Sequence, residues 1–268
     1  MPELPEVEAV CRVVRRALKD RRIVFAEIFR KRICAPQTPS QFARAVAGRR
    51  FQSVERRGKN ILIHLEGVTL WAHLRMTGDF YPVAVPRLTP PTAAAQFVLD
   101  NGRALVFDDP RGLGVLRAVK PAQWKRLLGT LGPDALSPEF TAERFAGLAK
   151  SSRAPIKLFL MDQRWVAGLG NIYAAEALFR ARIDPRHCGA GLGRARLLRL
   201  HRAIVALLTN AVKSASLAYR RPGVFAEGET FRPAVYGRED RRCPACAGLI
   251  RRIVQGGRST FFCPGCQS

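Results

Sequence analysis

The sequence predicts an α+β protein of two domains: an N-terminal helix and an antiparallel β-sandwich or barrel, then a helical domain that ends in a small cysteine-rich module. Three observations carry this prediction. Between about residues 20 and 120 the apolar residues fall into short runs separated by turn residues, the pattern of an antiparallel sandwich or barrel. From about residue 121 the apolar spacing becomes helical. Four of the seven cysteines lie beyond residue 242, as two closely spaced pairs. A chain of 268 residues has ample material for a core in each domain.

Taken in order, Pro5 reads as the first residue of a helix, a position that proline favours, with Val7, Val10, Cys11, Val14 and Leu18 on one face. Strands are expected at 23–33, 51–55, 61–65, 68–74, 96–100, 104–107 and 115–119. Asn101-Gly102 between two of them is a hairpin signal, because both residues tolerate the left-handed backbone of a two-residue turn. Residues 82–91, rich in proline, read as an irregular connection inside the sandwich, since strands continue after them. Helices are expected near 122–129, 138–150, 155–161, 171–182 and 194–215, the last with Leu197, His201, Ile204, Val205, Leu208 and Val212 as its buried stripe. Residues 216–237, rich in Gly, Pro and Arg, read as loop. A boundary near Gly132-Pro133 gives a sandwich domain at 1–132, a helical domain at 133–225 and the cysteine module at 226–268.

The 45 Lys and Arg against 21 Asp and Glu leave a formal charge of +24, which repels itself unless a polyanion shares it. Nucleic acid is the leading partner class. The excess of Arg over Lys adds little to that argument. A membrane surface also attracts such charge, yet no apolar run approaches the roughly 18 residues of a spanning helix. The acidic, proline-broken start does not read as a signal peptide, and a cytosolic, soluble chain is expected. Cys11, Cys34 and Cys188 sit in no recognisable nucleophile setting and read as small core or half-buried residues.

The first residues, Met1-Pro2-Glu3-Leu4-Pro5-Glu6, make chemical sense once Met1 is removed. An α-amine has a reference pKa of roughly 7.7–8.0, so a sizeable fraction is a free nucleophile near neutral pH. A secondary amine such as that of Pro2 attacks a sugar carbon to give an iminium, and Glu3 beside it is placed to supply or remove the proton that moves. The positive end of the following helix favours the neutral amine and an ionised Glu6. The same field opposes a proton on Glu3, a conflict the sequence leaves open. Read in isolation, the stretch is also an ordinary helix start with glutamates in its first turn.

Cys243-Pro-Ala-Cys246 and Cys263-Pro-Gly-Cys266, sixteen residues apart, fit a four-thiolate tetrahedral zinc site of ribbon type. Four protein ligands close the coordination sphere, so one structural zinc is expected. Two disulfides in an exported domain would be the rival, and nothing else suggests export. Between the pairs, Gly256-Gly257 makes a tight turn that can present Arg258 from a hairpin tip to a phosphate or a groove, whereas a lone Arg is ordinarily solvated. Gly168 to Tyr173 joins two helices, and Asn171 there either adds its amide to a phosphate site at a helix N-terminus or simply caps the helix. Lys59 lies in a turn before a strand, where lysines are commonly solvated. Arg75-Met76-Thr77-Gly78 and Asp109 to Gly114 are loops with a long side chain at the tip; such side chains fill the gap left by an extruded nucleotide.

In this combination and order, the stretches resemble the formamidopyrimidine-DNA glycosylase branch of the family that also holds endonuclease VIII, over nearly the whole chain. The resemblance implies a β-sandwich with a flanking helix, a helix-two-turns-helix element, and a zinc ribbon. It implies a DNA repair enzyme that excises oxidised bases, 8-oxoguanine and formamidopyrimidines, and nicks the strand by β,δ-elimination through a Schiff base. Carried over residue by residue, Pro2 attacks C1′, Glu3 protonates the deoxyribose, and Glu6 supports the site. Lys59, counted with the catalytic set, binds phosphate together with Asn171 and Arg258, and Met76, Arg111 and Leu113 fill the void. Cys243, Cys246, Cys263 and Cys266 hold the zinc. Damaged double-stranded DNA is the expected partner, the chain a monomer in the bacterial cytosol at the nucleoid. Two departures stand out: Leu113 occupies a place where the family usually has an aromatic residue, and the segment from Ala218 to Tyr236 is shorter than the usual lesion-covering loop. Within the family an endonuclease VIII-like preference for oxidised pyrimidines is the alternative; outside it, a non-catalytic zinc-ribbon DNA-binding protein.

Overall fold

The computed structural model describes residues 2–84, 90–219 and 231–268. Contacts divide the chain into two compact units, Met1–Thr130 with Ser214–Thr230, and Leu131–Lys213 with Phe231–Ser268.

In the first unit, helix α1 (Leu4–Leu18) buries Val7, Val10, Cys11, Val14 and Leu18, the face that the apolar spacing marks. Strands β1 (Ile23–Ile28), β6 (Ala93–Leu99), β7 (Arg103–Asp108) and β5 (Asp79–Ala84) form one antiparallel sheet in the order β1-β6-β7-β5. Strands β2 (Phe51–Arg57), β3 (Asn60–Leu65), β4 (Val68–His73) and β8 (Val115–Val119) form the other, in chain order. Both sheets and α1 feed one core: Phe97, Leu105 and Phe107 from the first, Ile61, Ile63 and Leu70 from the second. The hairpin at Asn101-Gly102 joins β6 to β7 as expected, with Gly102 at φ +70°.

Three differences from the sequence reading have local causes. The strand expected over 23–33 ends at Ile28, because the N–H groups of Phe29 and Arg30 both turn onto the carbonyl of Ala94 and a 3-10 turn follows at Lys31–Cys34. Helix α2 (Pro39–Val46) lies where no element was expected; Thr38 caps it in a Thr-x-x-Gln capping box, and Phe42 and Val46 reach the core. Strand β5 takes in Pro82, expected in an irregular connection. As an edge strand it has N–H groups that face no partner, so a missing one costs no ladder bond. Residues 85–89 of that connection lie outside the described residues. Helix α3 (Pro121–Leu127) follows β8.

The second unit holds α4 (Ala142–Lys150), α5 (Ile156–Met161), α6 (Asn171–Arg180) and most of α7 (Arg194–Ala218), then the hairpin of β9 (Arg251–Gln255) and β10 (Arg258–Phe262). Helix α4 starts later than expected because the Thr141 hydroxyl accepts from the Arg144 N–H and fixes the first turn. Of the stripe assigned to α7, Leu197, Ile204, Leu208 and Val212 are buried, while His201 and Val205 are half-buried; Leu200, Leu207 and Ala211 complete it. Among the described residues no helix is long and apolar enough to cross a membrane.

Candidate active site and nucleic-acid interface

The start of α1 positions the residues proposed for covalent chemistry. Glu3 is its N-cap and is fully buried, Glu6 is 7 % exposed, and a Glu6 carboxylate oxygen accepts the Glu3 N–H at 2.9 Å. Pro2 is buried as well. The sequence reading requires an open imino group there; in the chain that carries Met1, the Pro2 nitrogen is instead a tertiary amide with no lone pair to give. Removal of Met1 is thus a precondition of the chemistry.

Lys59 sits half-buried in the two-residue turn between β2 and β3. Arg56 fixes that turn: its guanidinium donates to the Gly58 carbonyl at 3.0 Å and to Glu8 of α1 at 3.2 Å. Lys59 and Arg75 both act on His73, whose imidazole burial, then these charges, push down to about 4, so it is neutral and accepts the Arg75 N–H at 3.0 Å.

Met76 lies half-buried in the turn from β4 to β5, after Arg75, which adopts φ +57°. Arg111 is exposed and Leu113 half-buried in the turn from β7 to β8. The two turns are bonded together: the Thr77 hydroxyl donates to Asp109 at 2.8 Å and accepts from the Arg111 N–H at 3.3 Å. Gly114 has to be glycine, since a Cβ there would stand 2.6 Å from the Phe107 ring. Asp79 and Asp108 face each other across β5 and β7 at the base of both turns. Burial above all, with the Asp108 charge adding, pushes Asp79 up to about 7, although it keeps a bond from the Phe80 N–H.

In the second unit Gly170, not Asn171, is the N-cap of α6, so the capping role left open for Asn171 is not the one it takes. Its amide donates to the Ser259 carbonyl at 3.0 Å, tying the start of α6 to the residue that follows Arg258. Gln163 shapes the approach to α6, accepting from the Gly168 N–H and donating to the Leu169 carbonyl. Five residues into α6, the fully buried Glu176 accepts three backbone N–H bonds, from Ala234, Val235 and Tyr236, at 2.8–2.9 Å. Helix α6 therefore holds both the ribbon hairpin and the chain that leads into it. Arg258 is exposed right after Gly256-Gly257, both at positive φ as a tight hairpin turn needs. The tip packs on α5: a Cβ on Gly256 would lie 3.0 Å from Leu158.

The Sγ atoms of Cys243, Cys246, Cys263 and Cys266 all lie within 4.8 Å of one another, with Cys246 to Cys263 at 3.4 Å and Cys243 to Cys266 at 3.8 Å. Zinc–thiolate bonds of about 2.3 Å in a tetrahedron put sulfurs about 3.8 Å apart, so the cluster fits one zinc ion. A backbone N–H from Gly248 is the main influence that holds the Cys246 thiol down at about 7, towards the thiolate a metal requires. The remaining three cysteines are buried or half-buried, as expected, and burial pushes Cys11 up to about 12, away from reactivity.

Sequence reasoning singled out the loop tips but not the groups that hold them: Arg56, Thr77, Gln163 and Glu176. Of these only Glu176, a charge inside Ala174-Ala-Glu-Ala-Leu178, carried a local signal.

Comparison with known proteins follows the same division. Residues 1–116 match the family model described as the formamidopyrimidine-DNA glycosylase N-terminal domain. Residues 131–220 match the H2TH domain of that family, and 242–268 the zinc finger found in FPG and IleRS. The chain is 42% identical over 276 residues to the formamidopyrimidine-DNA glycosylase of Thermus thermophilus, covering 100% of this chain and 98% of that one. To the protein of the same name from Chloroflexus aurantiacus it is 41% identical over 279 residues, with the same coverage. A crystal structure of Lactococcus lactis Fpg (MutM) with DNA containing N7-benzyl-Fapy-dG superposes with a TM-score of 0.89 at 29% identity, over 100% of both chains. With this fold, these matches and the four-thiol cluster in one chain, it belongs to the formamidopyrimidine-DNA glycosylase family.

Proposed function

We propose that this chain is a bifunctional DNA repair glycosylase that flips an oxidised base out of damaged duplex, excises it, and then nicks the strand. Pro2, freed of Met1, attacks C1′ of the damaged nucleotide; the base leaves with the bond electrons, and Glu3 protonates the deoxyribose so that its ring opens to an iminium on Pro2. β- and then δ-elimination cut the strand, and water returns the amine. The observation that carries this reading is the start of α1: a fully buried Glu3 next to Pro2, its N–H held by Glu6. A glutamate that merely decorated a helix start would face solvent.

Lys59, Asn171 and Arg258 bind phosphates around the lesion, and Met76, Arg111 and Leu113 fill the space the base leaves, which lowers the cost of extrusion. Residues 1–132 serve as the catalytic module, 133–225 as the helix-two-turns-helix module, and 226–268 as the ribbon. The four cysteines hold the zinc, which supplies no chemistry beyond fixing the hairpin that presents Arg258. Relatives are solved on DNA containing N7-benzyl-Fapy-dG and on DNA containing carbocyclic 8-oxo-G, which favours formamidopyrimidines and 8-oxoguanine here. One observation favours a second reading, a preference for oxidised pyrimidines: the Lactococcus lactis protein is also solved on DNA containing an oxidised pyrimidine. Leu113, being aliphatic, gives up stacking worth about 1–3 kcal/mol per base and so weakens discrimination of the opposite base.

Borohydride reduction of Met1-processed protein on 8-oxoguanine duplex tests the reading. A covalent adduct at Pro2 is expected, lost in Pro2→Gly and Glu3→Gln. No adduct from processed protein, or intact cleavage by both variants, sinks it. A thymine glycol duplex run alongside decides between the two substrate classes.

A further inference from the structure

The loops that carry Met76 and Arg111-Leu113 are two separate connections between the sheets, β4 to β5 and β7 to β8, about thirty residues of chain apart, yet a wedge needs its side chains in fixed register. One fully buried carboxylate stands between them. Asp109 uses every acceptor it has inside the protein. One carboxylate oxygen accepts the Thr77 hydroxyl at 2.8 Å, and the other accepts the Gly114 N–H at 2.6 Å. Its carbonyl accepts the Gly112 N–H at 3.0 Å and the Arg30 guanidinium at 2.8 Å. Its own N–H donates to Thr92 at 3.1 Å. Thr77 closes the circuit by accepting from the Arg111 N–H at 3.3 Å. The Asp109 side chain thus joins Thr77, next to Met76, to Gly114, next to Leu113.

We propose that Asp109, relayed through the Thr77 hydroxyl, is the positioning residue that locks the two loops into one rigid wedge, so that Met76, Arg111 and Leu113 enter duplex DNA together. The proposal rests on the glycosylase reading above. Asp109 is fully buried and so out of reach of DNA. Asp109 and Thr77 act by removing the freedom of two loops that would otherwise have to order separately on binding, an ordering that costs affinity and rate. The effect is confined to substrates from which a base has to be extruded. An abasic site in a single strand needs no wedge, and its cleavage uses only the Pro2 and Glu3 chemistry.

The test uses the full-length, Met1-processed protein with its zinc. Thr77→Val keeps the shape of the side chain and removes the hydroxyl; Thr77→Ser keeps the hydroxyl. Single-turnover excision of 8-oxoguanine from duplex is expected to fall by tenfold or more in Thr77→Val and to recover to within threefold in Thr77→Ser. Strand scission at an abasic site in single-stranded DNA stays within twofold of wild type in both. Fluorescence of 2-aminopurine placed opposite the lesion reports the wedge directly, and its rise is expected to slow in Thr77→Val. Asp109→Asn, which sets an amide N–H against that of Gly114, follows Thr77→Val if it melts cooperatively. An equal drop on both substrates means general damage to the unit and overturns the proposal, as does an unchanged duplex rate in Thr77→Val. Failure of wild type to cleave the abasic strand defeats the underlying enzyme reading instead, leaving the two outcomes distinguishable.

Discussion

Asp79 gives a prediction whose sign follows from the fold. It is 7 % exposed at the first position of β5, opposite Asp108 on β7. Tyr219, beyond the end of α7, is held protonated first by its burial and then by the charges of Asp79 and Glu6, so both α1 and α7 face this site with acidic or phenolic groups. Burial and Asp108 push Asp79 from 3.8 up to about 7. The folded chain therefore holds a proton that the unfolded chain releases above about pH 4, and this contribution is complete below pH 4 and lost as pH rises through 7. A displacement of roughly 3 pH units at 1.36 kcal/mol each is about 4 kcal/mol, and relaxation of the charged site makes about 2 kcal/mol a realistic floor. Asp79→Asn keeps an acceptor for the Phe80 N–H and cannot ionise. It should match wild type near pH 4 and exceed it by about 2–4 kcal/mol at pH 8, read from urea unfolding at several pH values. His73, pushed down to about 4, imposes the opposite slope between about pH 4 and 6.5, but it does so in both proteins and drops out of the difference. A difference between variant and wild type that stays flat from pH 4 to 8 would refute the reasoning.

Other outcomes follow from single contacts. Protein that retains Met1, identified by intact mass, should form no borohydride adduct until the methionine is cleaved, because its Pro2 nitrogen is an amide. Chelating zinc, or Cys246→Ser, should unfold the ribbon and weaken duplex binding while the circular dichroism of the sandwich persists; unchanged affinity would remove Arg258 from the interface. Glu176→Gln leaves one of three backbone N–H groups facing an amide donor, and a loss of about 2 kcal/mol in unfolding free energy is expected. Gly114→Ala drives a methyl to within 2.6 Å of the Phe107 ring and should cost about 1–3 kcal/mol by the same measurement.

Most of the architecture was legible because short apolar runs and turn residues report strand periodicity without reference to partners. The failures are local and physical. Proline-rich sequence hid β5, since a sequence pattern cannot say whether a strand will lie at an edge, where Pro82 is harmless. Helix α2 was missed although its capping box is written in Thr38 and Gln41, because eight residues with two buried positions, Phe42 and Val46, make too short a stripe to read by period. The strand at 23–33 ran too long since Phe29 and Ile33 continue the apolar count while the N–H of Arg30 has already turned onto Ala94. Of the proposed lesion-covering segment, Ala218 to Tyr236, residues 220–230 lie outside the described residues.

The candidate site divides along a different line. Tips are readable: Met76, Arg111, Leu113 and Arg258 stand in glycine-flanked turns, and the four cysteines announce their chemistry by spacing alone. Holds are not, because each joins positions far apart in sequence. Thr77 means nothing until Asp109 is beside it, and Asn171 reads equally as a cap or a phosphate contact until Ser259, 88 residues on, takes its amide. What these holds share is a polar contact made inside the protein between positions far apart in sequence, a bond that would be costly to lose and that therefore favours one geometry. A chain carrying +24 needs such fixing more than most, since diffuse attraction to any polyanion comes free with the charge. On the proposed reading, choosing one damaged nucleotide requires tips that arrive in register, and internal hydrogen bonds such as Thr77 to Asp109 and Asn171 to Ser259 would set that register. Salt should accordingly weaken binding of all duplexes alike, while substitutions at the holds should alter discrimination between damaged and intact DNA at constant salt.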